Sequence, residues 1–293
     1  MMIEELIPGI TEDVEVYLNG DILPLSQAKI SVLDRGFIFG DGVYEVVPVY
    51  NRKPFRLEQH VARLMRSLDK VSLLTNNSAE DWQQLMTHMA ERAPWDNCLV
   101  YLQVTRGVAK RDHQFPNPPV QPTVFLMSAA RVAPSVNEIN QGLRTVSMKD
   151  MRWFHCDIKS VSLLGNVLAK QYAVERGVDD VIQFREGYLS EASSANIWVV
   201  KDGTVIAPPK DNLVLEGVRY GLIEELCQSE GIPFELRPIS QVEVEQADEL
   251  FLSSATKEIL PITEHDAQPI ANGQVGPIYK TLKQAYNKVL AAL

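Results

Sequence analysis

The sequence predicts an α+β fold built from two domains. Its 293 residues suit two domains of ordinary size. Strand-like and helix-like patterns are mixed along it, without the strict alternation that produces a doubly wound parallel sheet. A proline and several polar residues in RVAPSVNEINQG, residues 131–142, are typical of a connection between structured parts. We therefore predict a small N-terminal α/β domain at 1–132, a linker at 133–138 and a larger C-terminal domain at 139–293.

The N-terminal domain is predicted to start with two hairpins. Asn19-Gly20 lies between two short apolar segments, and this pair favours a tight hairpin turn. A second such turn is expected within YNRKP. Apolar residues recur at helical spacing across 57–73, and Ser78, followed by acidic residues, has the pattern of a second helix start. Two strands are expected next, joined by a polar, proline-rich loop at 108–122.

The C-terminal domain is predicted to combine strands with helices of moderate length. Turn signals of the type Arg-Glu-Gly and Lys-Asp-Gly divide residues 179–208 into three predicted strands. The other predicted elements are a strand at 143–149, a helix ending near Gly177, a helix starting near Gly217, a strand at 249–252 and a helix that closes the chain.

The composition argues against several classes of protein. The formal net charge of −10 and the pI of about 5.1 disfavour binding to nucleic acid or to an anionic membrane surface. The three cysteines are widely spaced and form no CxxC or cysteine–histidine pattern, so we expect no metal site. The first residues lack the apolar stretch of a signal peptide, and no run approaches the ~20 apolar residues of a membrane span. We expect a cytoplasmic protein.

The segment CDIKSVSLLGNVLAK, residues 156–170, places Lys159 at the start of an apolar run. One interpretation is a lysine at the beginning of a helix that extends its ammonium group to water. The other is an amine held in an apolar site, where it loses its proton more readily and acts as a nucleophile. The residues of this segment alone leave both interpretations open.

Two segments offer groups that bind phosphate. Gly217 precedes a predicted helix, and main-chain amides at a helix start, together with the helix dipole, favour an anion. Ser253, Ser254 and Thr256 follow a predicted strand and add hydroxyl groups. Taken separately, an ordinary helix start and an ordinary strand-to-loop transition are the plainer explanations.

Charged residues supply two further candidates. Glu191 lies among small residues, which allow a flat molecule to approach closely, although a polar hairpin turn has the same composition. Arg106, Lys110, Arg111 and His113 concentrate positive charge in one loop of an acidic protein. Arginine binds a carboxylate through two hydrogen bonds and histidine adds a donor, whereas most such runs of charge are solvated surface. A nucleophilic lysine, a phosphate site and a carboxylate together match the aldehyde, phosphate and ring nitrogen of pyridoxal 5′-phosphate.

Longer blocks of sequence resemble the fold-type IV pyridoxal-phosphate enzymes, a group that contains branched-chain aminotransferases, aminodeoxychorismate lyases and D-amino-acid aminotransferases. The blocks are DRGFIFGDGVYEVVPVYN, EQHVARL, VTRGVAKRDHQFP, DMRWFHCDIKSVSLLGNVLAKQ, SEASSANIW and DELFLSSATKEI. They extend over nearly the whole chain, and within the group the greatest similarity is to bacterial D-amino-acid aminotransferases. The resemblance implies the two-domain fold of this group, with a β-barrel-like C-terminal α/β domain, and pyridoxal 5′-phosphate as the cofactor.

The resemblance also assigns a role to each candidate. Lys159 is the Schiff-base lysine and moves the proton between substrate and cofactor, and Glu191 pairs with the pyridine nitrogen. The phosphate contacts come from Arg63, Gly217, Val218, Arg219, Ser254, Ala255 and Thr256, and Leu215 supports the ring. The substrate α-carboxylate is held by a group that we call the carboxylate trap, Tyr44, Arg111 and His113. The side-chain pocket is lined by Val46, Trp153, Ser194 and Thr256. This chain has Gly-Val-Arg-Tyr where Gly-Ile/Val-Thr-Arg is usual, and Ala255 where a hydroxyl is common, so some phosphate contacts must differ.

The implied reaction is ping-pong transamination of D-alanine, D-glutamate or D-aspartate with a 2-oxo acid such as 2-oxoglutarate or pyruvate. A branched-chain L-aminotransferase or an aminodeoxychorismate lyase is the alternative, and the Arg111/His113 pair argues against both. A non-catalytic pyridoxal-phosphate-binding protein is a further alternative, which an intact Lys159 and Glu191 disfavour. The resemblance also implies a homodimer in which the loop bearing Arg111 and His113 reaches the neighbouring site.

Overall fold

The computed structural model describes Glu4 and residues 9–293, and the chain divides into two compact units. The first unit extends to Arg131 and also contains Ile158–Ser162. The second consists of Val132–Asp157 and Leu163–Leu293. Strands and helices are mixed in both, which confirms the predicted α+β class. The predicted domain limits, 1–132 and 139–293, stay a prediction, and they do not anticipate that Ile158–Ser162 groups with the first unit.

The first unit is built on an antiparallel sheet. Its described strands are β1 (Glu15–Leu18), β2 (Asp21–Pro24), β3 (Gly42–Tyr50), β4 (Lys53–Pro54), β5 (Cys98–Thr105) and β6 (Thr123–Ala130). Their spatial order is β2-β1-β6-β5-β3-β4, and every neighbouring pair is antiparallel. Both predicted hairpins are confirmed, since β1 pairs with β2 and β3 pairs with β4.

Helices of the first unit pack against this sheet. They are a 3-10 turn at Leu25–Gln27, α1 (Arg35–Phe39), α2 (Leu57–Lys70) and α3 (Ala79–Arg92). The predicted start of α3 is confirmed, because the Ser78 hydroxyl accepts a hydrogen bond from the Asp81 amide in a capping box. Leu64 of α2 and Trp82 of α3 are fully buried in the core that the helices share with the strands. The sequence analysis does not predict α1, whose N-cap Asp34 accepts a hydrogen bond from the Gly36 amide.

The second unit contains a larger, mixed sheet. Its described strands are β7 (Leu143–Lys149), β8 (Asp180–Arg185), β9 (Tyr188–Leu189), β10 (Asn196–Lys201), β11 (Thr204–Ala207), β12 (Phe234–Leu236), β13 (Glu249–Ser254), β14 (Glu258–His265) and β15 (Gln268–Pro269). The order is β12-β11-β10-β13-β14-β7-β8-β9, and β15 pairs with β14. Strands β11 and β12, β14 and β7, and β7 and β8 are parallel pairs. The prediction of three strands across 179–208 is wrong, because the structure has four there: the region between the two predicted turns contains the short strand β9 as well as β10.

The described helices of the second unit are α4 (Val136–Gln141), α5 (Leu164–Glu175), α6 (Val218–Ser229), α7 (Gln241–Glu245) and α8 (Pro277–Ala291). Helix α4 begins inside the predicted linker 133–138, and the linker itself stays a prediction. The helix starts there because of a capping box: the Ser135 hydroxyl accepts from the Glu138 amide, and the Glu138 carboxylate accepts from the Ser135 amide. Within Glu4 and 9–293, no helix is both long and apolar enough to cross a membrane.

The core of the second unit holds α6 and α8 in place. The Trp198 and Phe251 rings stack at 5.9 Å, and Tyr220 of α6 packs on Trp198 at 4.5 Å. The Glu249 carboxylate accepts hydrogen bonds from the main-chain amides of Ile278 and Tyr279, at 2.9 and 2.8 Å, where α8 begins. An anionic carboxylate at a helix N-terminus is a stabilising arrangement. The aromatic packing therefore holds α6, and the Glu249 carboxylate holds the start of α8.

Candidate active site

Lys159 lies in an extended segment beside strand β3. Its main-chain carbonyl accepts a hydrogen bond from the Tyr44 amide at 3.0 Å, and its own amide donates to the Ser67 hydroxyl at 3.2 Å. Its ammonium nitrogen lies 3.9 Å from the centroid of the Tyr44 ring, a distance typical of a cation–π contact. Helix α5 begins only at Leu164, so the interpretation of Lys159 as a helix-start lysine is wrong.

Strand β3 places the predicted substrate-binding residues on one of its faces. Tyr44 and Val46 are two residues apart and half-buried, while Glu45 between them is completely buried. Successive side chains of a strand point to opposite faces. Tyr44 and Val46 therefore share the face that carries the Lys159 amine, and Glu45 points away from it.

Glu45 is the centre of a buried ionic group. The Nε and Nη2 atoms of Arg63 donate to its two carboxylate oxygens at 2.7 and 2.8 Å, and Nδ1 of His60 lies 2.8 Å from Oε2. Burial by itself raises the pKa of the Glu45 carboxyl, but the charge and hydrogen bonds of Arg63, and the His60 contact, outweigh it and hold the pKa far below its usual range. Arg63 is thereby fixed in orientation, and its phosphate contact stays a prediction.

The structure brings Arg111 and His113 together around one aromatic ring. The centroid of Phe39 lies 5.4 Å from the Arg111 guanidinium carbon and 5.4 Å from the centroid of the His113 ring. Arg111 and His113 are themselves exposed. The end of α1 therefore supplies a platform for two members of the predicted carboxylate trap, a role that no motif in the sequence analysis assigns to Phe39.

In the second unit, Glu191 is held by donors on every side. Its Oε1 accepts hydrogen bonds from the Leu215 amide at 2.8 Å and from Asn196 Nδ2 at 3.3 Å, and its Oε2 accepts from Nη1 of Arg152. Glu191 is only 5% exposed. Burial raises the pKa of the Glu191 carboxyl, while the Arg152 guanidinium opposes that shift. The predicted residues Glu191 and Leu215 are thus brought together.

Arg152 is a site residue that the sequence analysis misses. Its side chain is 8% exposed and also donates from Nε and Nη2 to Asp150, at 3.0 and 2.9 Å. The two carboxylates raise the pKa of Arg152 above its ordinary value, although burial lowers it. For Asp150, in contrast, burial raises the pKa, but the charge and hydrogen bonds of Arg152 outweigh burial and bring the pKa to about 2. An arginine next to the predicted pocket residue Trp153 was the available signal.

The start of α6 offers main-chain amides without a capping side chain. Gly217 occupies the N-cap, and a side chain there has no room, because a Cβ atom would lie 2.3 Å from Asn196 Oδ1. The Arg219 side chain is buried, and its Nε donates to the Tyr286 hydroxyl of α8 at 3.0 Å. The Arg219 side chain is thus engaged with α8, and its phosphate contact stays a prediction.

The second predicted phosphate segment is the tight turn between β13 and β14. The Ser254 hydroxyl accepts a hydrogen bond from the Lys257 amide at 3.0 Å and lies 3.4 Å from the Thr256 hydroxyl. Ala255 lies in the same turn. Of the predicted pocket residues in this unit, Trp153 is 48% exposed and Ser194 is exposed. Their role in a pocket stays a prediction.

Comparison with known proteins identifies the family of this chain. Residues 42–265 match the profile of the family Amino-transferase class IV. This chain belongs to the class IV aminotransferases. The enzyme is 37% identical to a D-alanine aminotransferase of Staphylococcus aureus over 94% of its own length and 98% of that protein. It is 34% identical to a D-alanine aminotransferase of Bacillus licheniformis, over 95% and 98% of the two chains.

The fold of the enzyme is also that of a solved family member. The branched-chain amino acid aminotransferase of Escherichia coli superimposes with a TM-score of 0.90 and 22% identity, over 95% of each chain. This likeness confirms the predicted fold type. Pyridoxal 5′-phosphate is the cofactor of the family, as the resemblance implied.

The residues of the second unit fit this cofactor. The Ser193 hydroxyl is buried without a hydrogen-bond partner, two positions after Glu191. A buried polar atom without a partner is costly, and a bound polar molecule would satisfy it. The main-chain amides at the start of α6 suit a phosphate, and the carboxylate of Glu191, supported by Arg152, suits a protonated ring nitrogen. The role of Lys159, which belongs to the first unit, stays a prediction.

Proposed function

We propose that the enzyme transfers amino groups from D-amino acids, such as D-alanine, D-glutamate and D-aspartate, to 2-oxo acids such as 2-oxoglutarate or pyruvate. The observation that carries this proposal is the pairing of Arg111 and His113 on the Phe39 ring, which forms a compact, positively charged site for a carboxylate. Relatives named D-alanine aminotransferase, at 34 and 37% identity, support it.

When bound, pyridoxal 5′-phosphate supplies the aldehyde that takes up the amino group and the ring that delocalises the electrons released at Cα. Lys159 would hold the cofactor and then move the proton at the substrate Cα. Tyr44, whose ring lies against the lysine amine, would contribute to the substrate site beside it. Glu191, fixed by Arg152, Asn196 and Leu215, would accept a hydrogen bond from the ring nitrogen and favour its protonated form.

Handedness follows from holding the carboxylate and the lysine in fixed positions. Suppose that a D- and an L-amino acid bind through the same carboxylate contacts. Either their Cα hydrogens then point to opposite sides, or the hydrogen of one enantiomer occupies the place of the side chain of the other. Only one enantiomer then presents its hydrogen to Lys159 while its side chain occupies the pocket that Val46 lines. A misplacement of about 1 Å can cost on the order of 10²-fold in rate, so we expect a strong preference for the D-form.

The test is a spectrophotometric half-reaction of the pyridoxal-phosphate enzyme with single amino acids. D-Alanine should convert the cofactor at least about 100-fold faster than L-alanine, L-leucine or L-valine. Arg111→Ala should reduce the preference by removing a charge-assisted contact worth about 1.5–3 kcal/mol. Faster conversion by the branched L-amino acids would contradict the proposal and favour a branched-chain aminotransferase.

We also propose that the enzyme is a homodimer. In the first unit, Val32 and Phe37 are 73% and 70% exposed, and Ile30 and Phe115 are about half exposed. Large apolar side chains grouped along the sequence near α1 and its neighbouring loop are typical of a surface that another protein covers, and the continuity with Arg111 and His113 makes a second copy the favoured occupant. A fully active monomer in analytical ultracentrifugation would contradict this assembly.

A further inference from the structure

The loop that joins β5 to β6, residues 106–122, is here called the trap loop because it carries Arg111 and His113. It contains no helix or strand among the described residues. Its central residues, from Lys110 to Phe115, are all exposed. Within the loop, the Arg106 guanidinium lies 3.7 Å from the centroid of Phe115, and the Gln114 amide donates to Asp112 at 3.3 Å. A loop without helix or strand also depends for its conformation on the side chains that bind it from outside. The position of the carboxylate trap therefore depends on those side chains.

Arg35 of helix α1 binds three consecutive main-chain carbonyls of the trap loop. Its Nη1 donates to the carbonyl of Asp112 at 2.6 Å and of Gln114 at 3.3 Å, and its Nη2 donates to that of His113 at 3.5 Å. Arg35 is only 3% exposed. Hydrogen bonds from a charged donor are stronger than neutral ones, and the planar guanidinium can address several acceptors at once. The three contacts bracket His113 on both sides.

The Arg35 guanidinium is itself fixed by Asp41. Its Nε donates to Asp41 Oδ2 at 2.8 Å, and Arg106 binds the same carboxylate from Nε and Nη2 at 2.8 and 3.0 Å. Burial raises the pKa of the Asp41 carboxyl, but Arg106 and Arg35 outweigh this effect and hold the pKa below its ordinary value. The remaining Arg106 donors bind the carbonyls of Val71 and Ser72, which lie outside the trap loop.

Helix α1 is fixed on strand β5, which adds to the rigidity of this arrangement. Asp34 accepts hydrogen bonds from the hydroxyls of Thr105 and Thr123, at 2.8 and 2.6 Å. Gly36 lies so close to Thr105 that a Cβ atom would come within 2.3 Å of its methyl group. The same helix therefore presents Arg35 to the main chain of the trap loop and Phe39 to its side chains.

We propose that Arg35 is a positioning residue of the carboxylate trap, which sets the main chain at Asp112, His113 and Gln114 and thereby the placement of Arg111 and His113 on Phe39. This inference rests on the proposed role of Arg111 and His113 in binding the substrate carboxylate. Arg35 does not touch the substrate. It determines how well the trap fits a carboxylate before the substrate arrives, which is a contribution to binding through preorganisation.

The test compares Arg35→Lys with the matched control Arg106→Lys in the pyridoxal-phosphate enzyme. Both variants shorten a buried cation that binds Asp41. Only Arg35→Lys loses the contacts with the carbonyls of residues 112–114, whereas Arg106→Lys loses the contact of the Arg106 guanidinium with the Phe115 ring, 3.7 Å from its centroid. We expect Arg35→Lys to raise the KM for both D-alanine and 2-oxoglutarate by about 10- to 100-fold, with a smaller change in kcat. Amide hydrogen exchange at 110–116 should be faster in this variant, and Arg106→Lys, which keeps the contacts with the carbonyls of residues 112–114, should have a clearly smaller effect in both measurements.

Each outcome separates this inference from the proposed function. If Arg111→Ala raises the KM and Arg35→Lys does not, the positioning role is wrong and the trap remains. If Arg111→Ala leaves the KM unchanged, the proposed trap itself is wrong. Equal effects of Arg35→Lys and Arg106→Lys would mean that loss of the buried ionic group, and not of the carbonyl contacts, is responsible. If Arg35→Lys does not fold, Asp41→Asn provides the test. It keeps the Arg35 side chain but removes the charged carboxylate that fixes the guanidinium, and it should also raise the KM.

Discussion

Replacement of Glu45 by glutamine should be among the most destabilising single changes in the first unit. The variant keeps the shape of the side chain, but it places an amide nitrogen opposite donors of Arg63 and His60 and removes the charge that neutralises Arg63. Breaking a buried ion pair by neutralising one partner costs about 3–5 kcal/mol. The whole stability of a domain is about 5–15 kcal/mol, so the loss is a large fraction of it.

The assay is urea denaturation followed by circular dichroism, with Glu15→Gln as the control. Glu15 pairs with Arg92 at 2.5 Å, but their side chains are 48% and 36% exposed, and exposed pairs contribute about 0–1 kcal/mol. The double variant Glu45→Leu/Arg63→Met should lose less stability than the sum of the two single changes, because it removes both charges together. A loss below about 1 kcal/mol for Glu45→Gln would refute the reasoning.

The same pair predicts the direction of the pH dependence. Because the folded state holds the pKa of Glu45 far below its ordinary value of 4.5, its contribution is fully present above that value and is lost as the pH falls below it. The difference in unfolding free energy between wild type and Glu45→Gln should therefore shrink in acid. A difference that stays constant as the pH falls would show that Glu45 is not anionic in the folded protein.

Three further changes test other parts of the structure. Lys159→Ala should leave a folded protein whose turnover falls at least about 100-fold, because the group that moves the Cα proton is gone; normal turnover would exclude Lys159 from the mechanism. Arg152→Met leaves the Asp150 and Glu191 carboxylates buried without their shared cation, so unfolding by urea should require about 3–5 kcal/mol less, while Arg152→Lys should lose less. Gly36→Ala should cost about 1–3 kcal/mol in thermal unfolding, because its methyl group overlaps Thr105; an unchanged midpoint would mean that α1 can move away from β5.

Local patterns predicted the longer elements well and the short ones poorly. The Ser78 cap and the acidic residues after it identified α3, since both signals are contained in the helix start itself. Helix α1 has only five residues, one of them a glycine, and its position is decided by hydrogen bonds that Asp34 accepts from Thr105 and Thr123, which are distant in sequence. Strand β14 was missed partly because Pro261 lies inside it, and proline is uncommon within strands.

The candidate site shows the same division between local and distant signals. Lys159, Glu191 and Gly217 were singled out as candidates because each lies in a short segment with a signal of its own, and their roles stay predictions. The partners that fix them were not singled out. Arg152 reaches Glu191 across 39 positions of the chain, and the pairing of a buried carboxylate with one particular arginine depends on tertiary packing, which a sequence pattern does not contain.

The short segment Ile158–Ser162 limits how this enzyme can be recombined with its relatives. A chimaera joined at Arg131 takes Tyr44 from one parent and Lys159 from the other, although the two residues are hydrogen-bonded through their main chains. The Ser162 hydroxyl also donates to the carbonyl of Gly40 at 3.0 Å. A Cβ atom on residue 40 would lie 2.5 Å from that hydroxyl oxygen, so the two positions must match closely. In such a hybrid, strand β3 and the extended segment 158–162 come from different parents, although their main chains are hydrogen-bonded to each other. A functional exchange therefore needs three crossover points, so that residues 158–162 travel with the N-terminal parent.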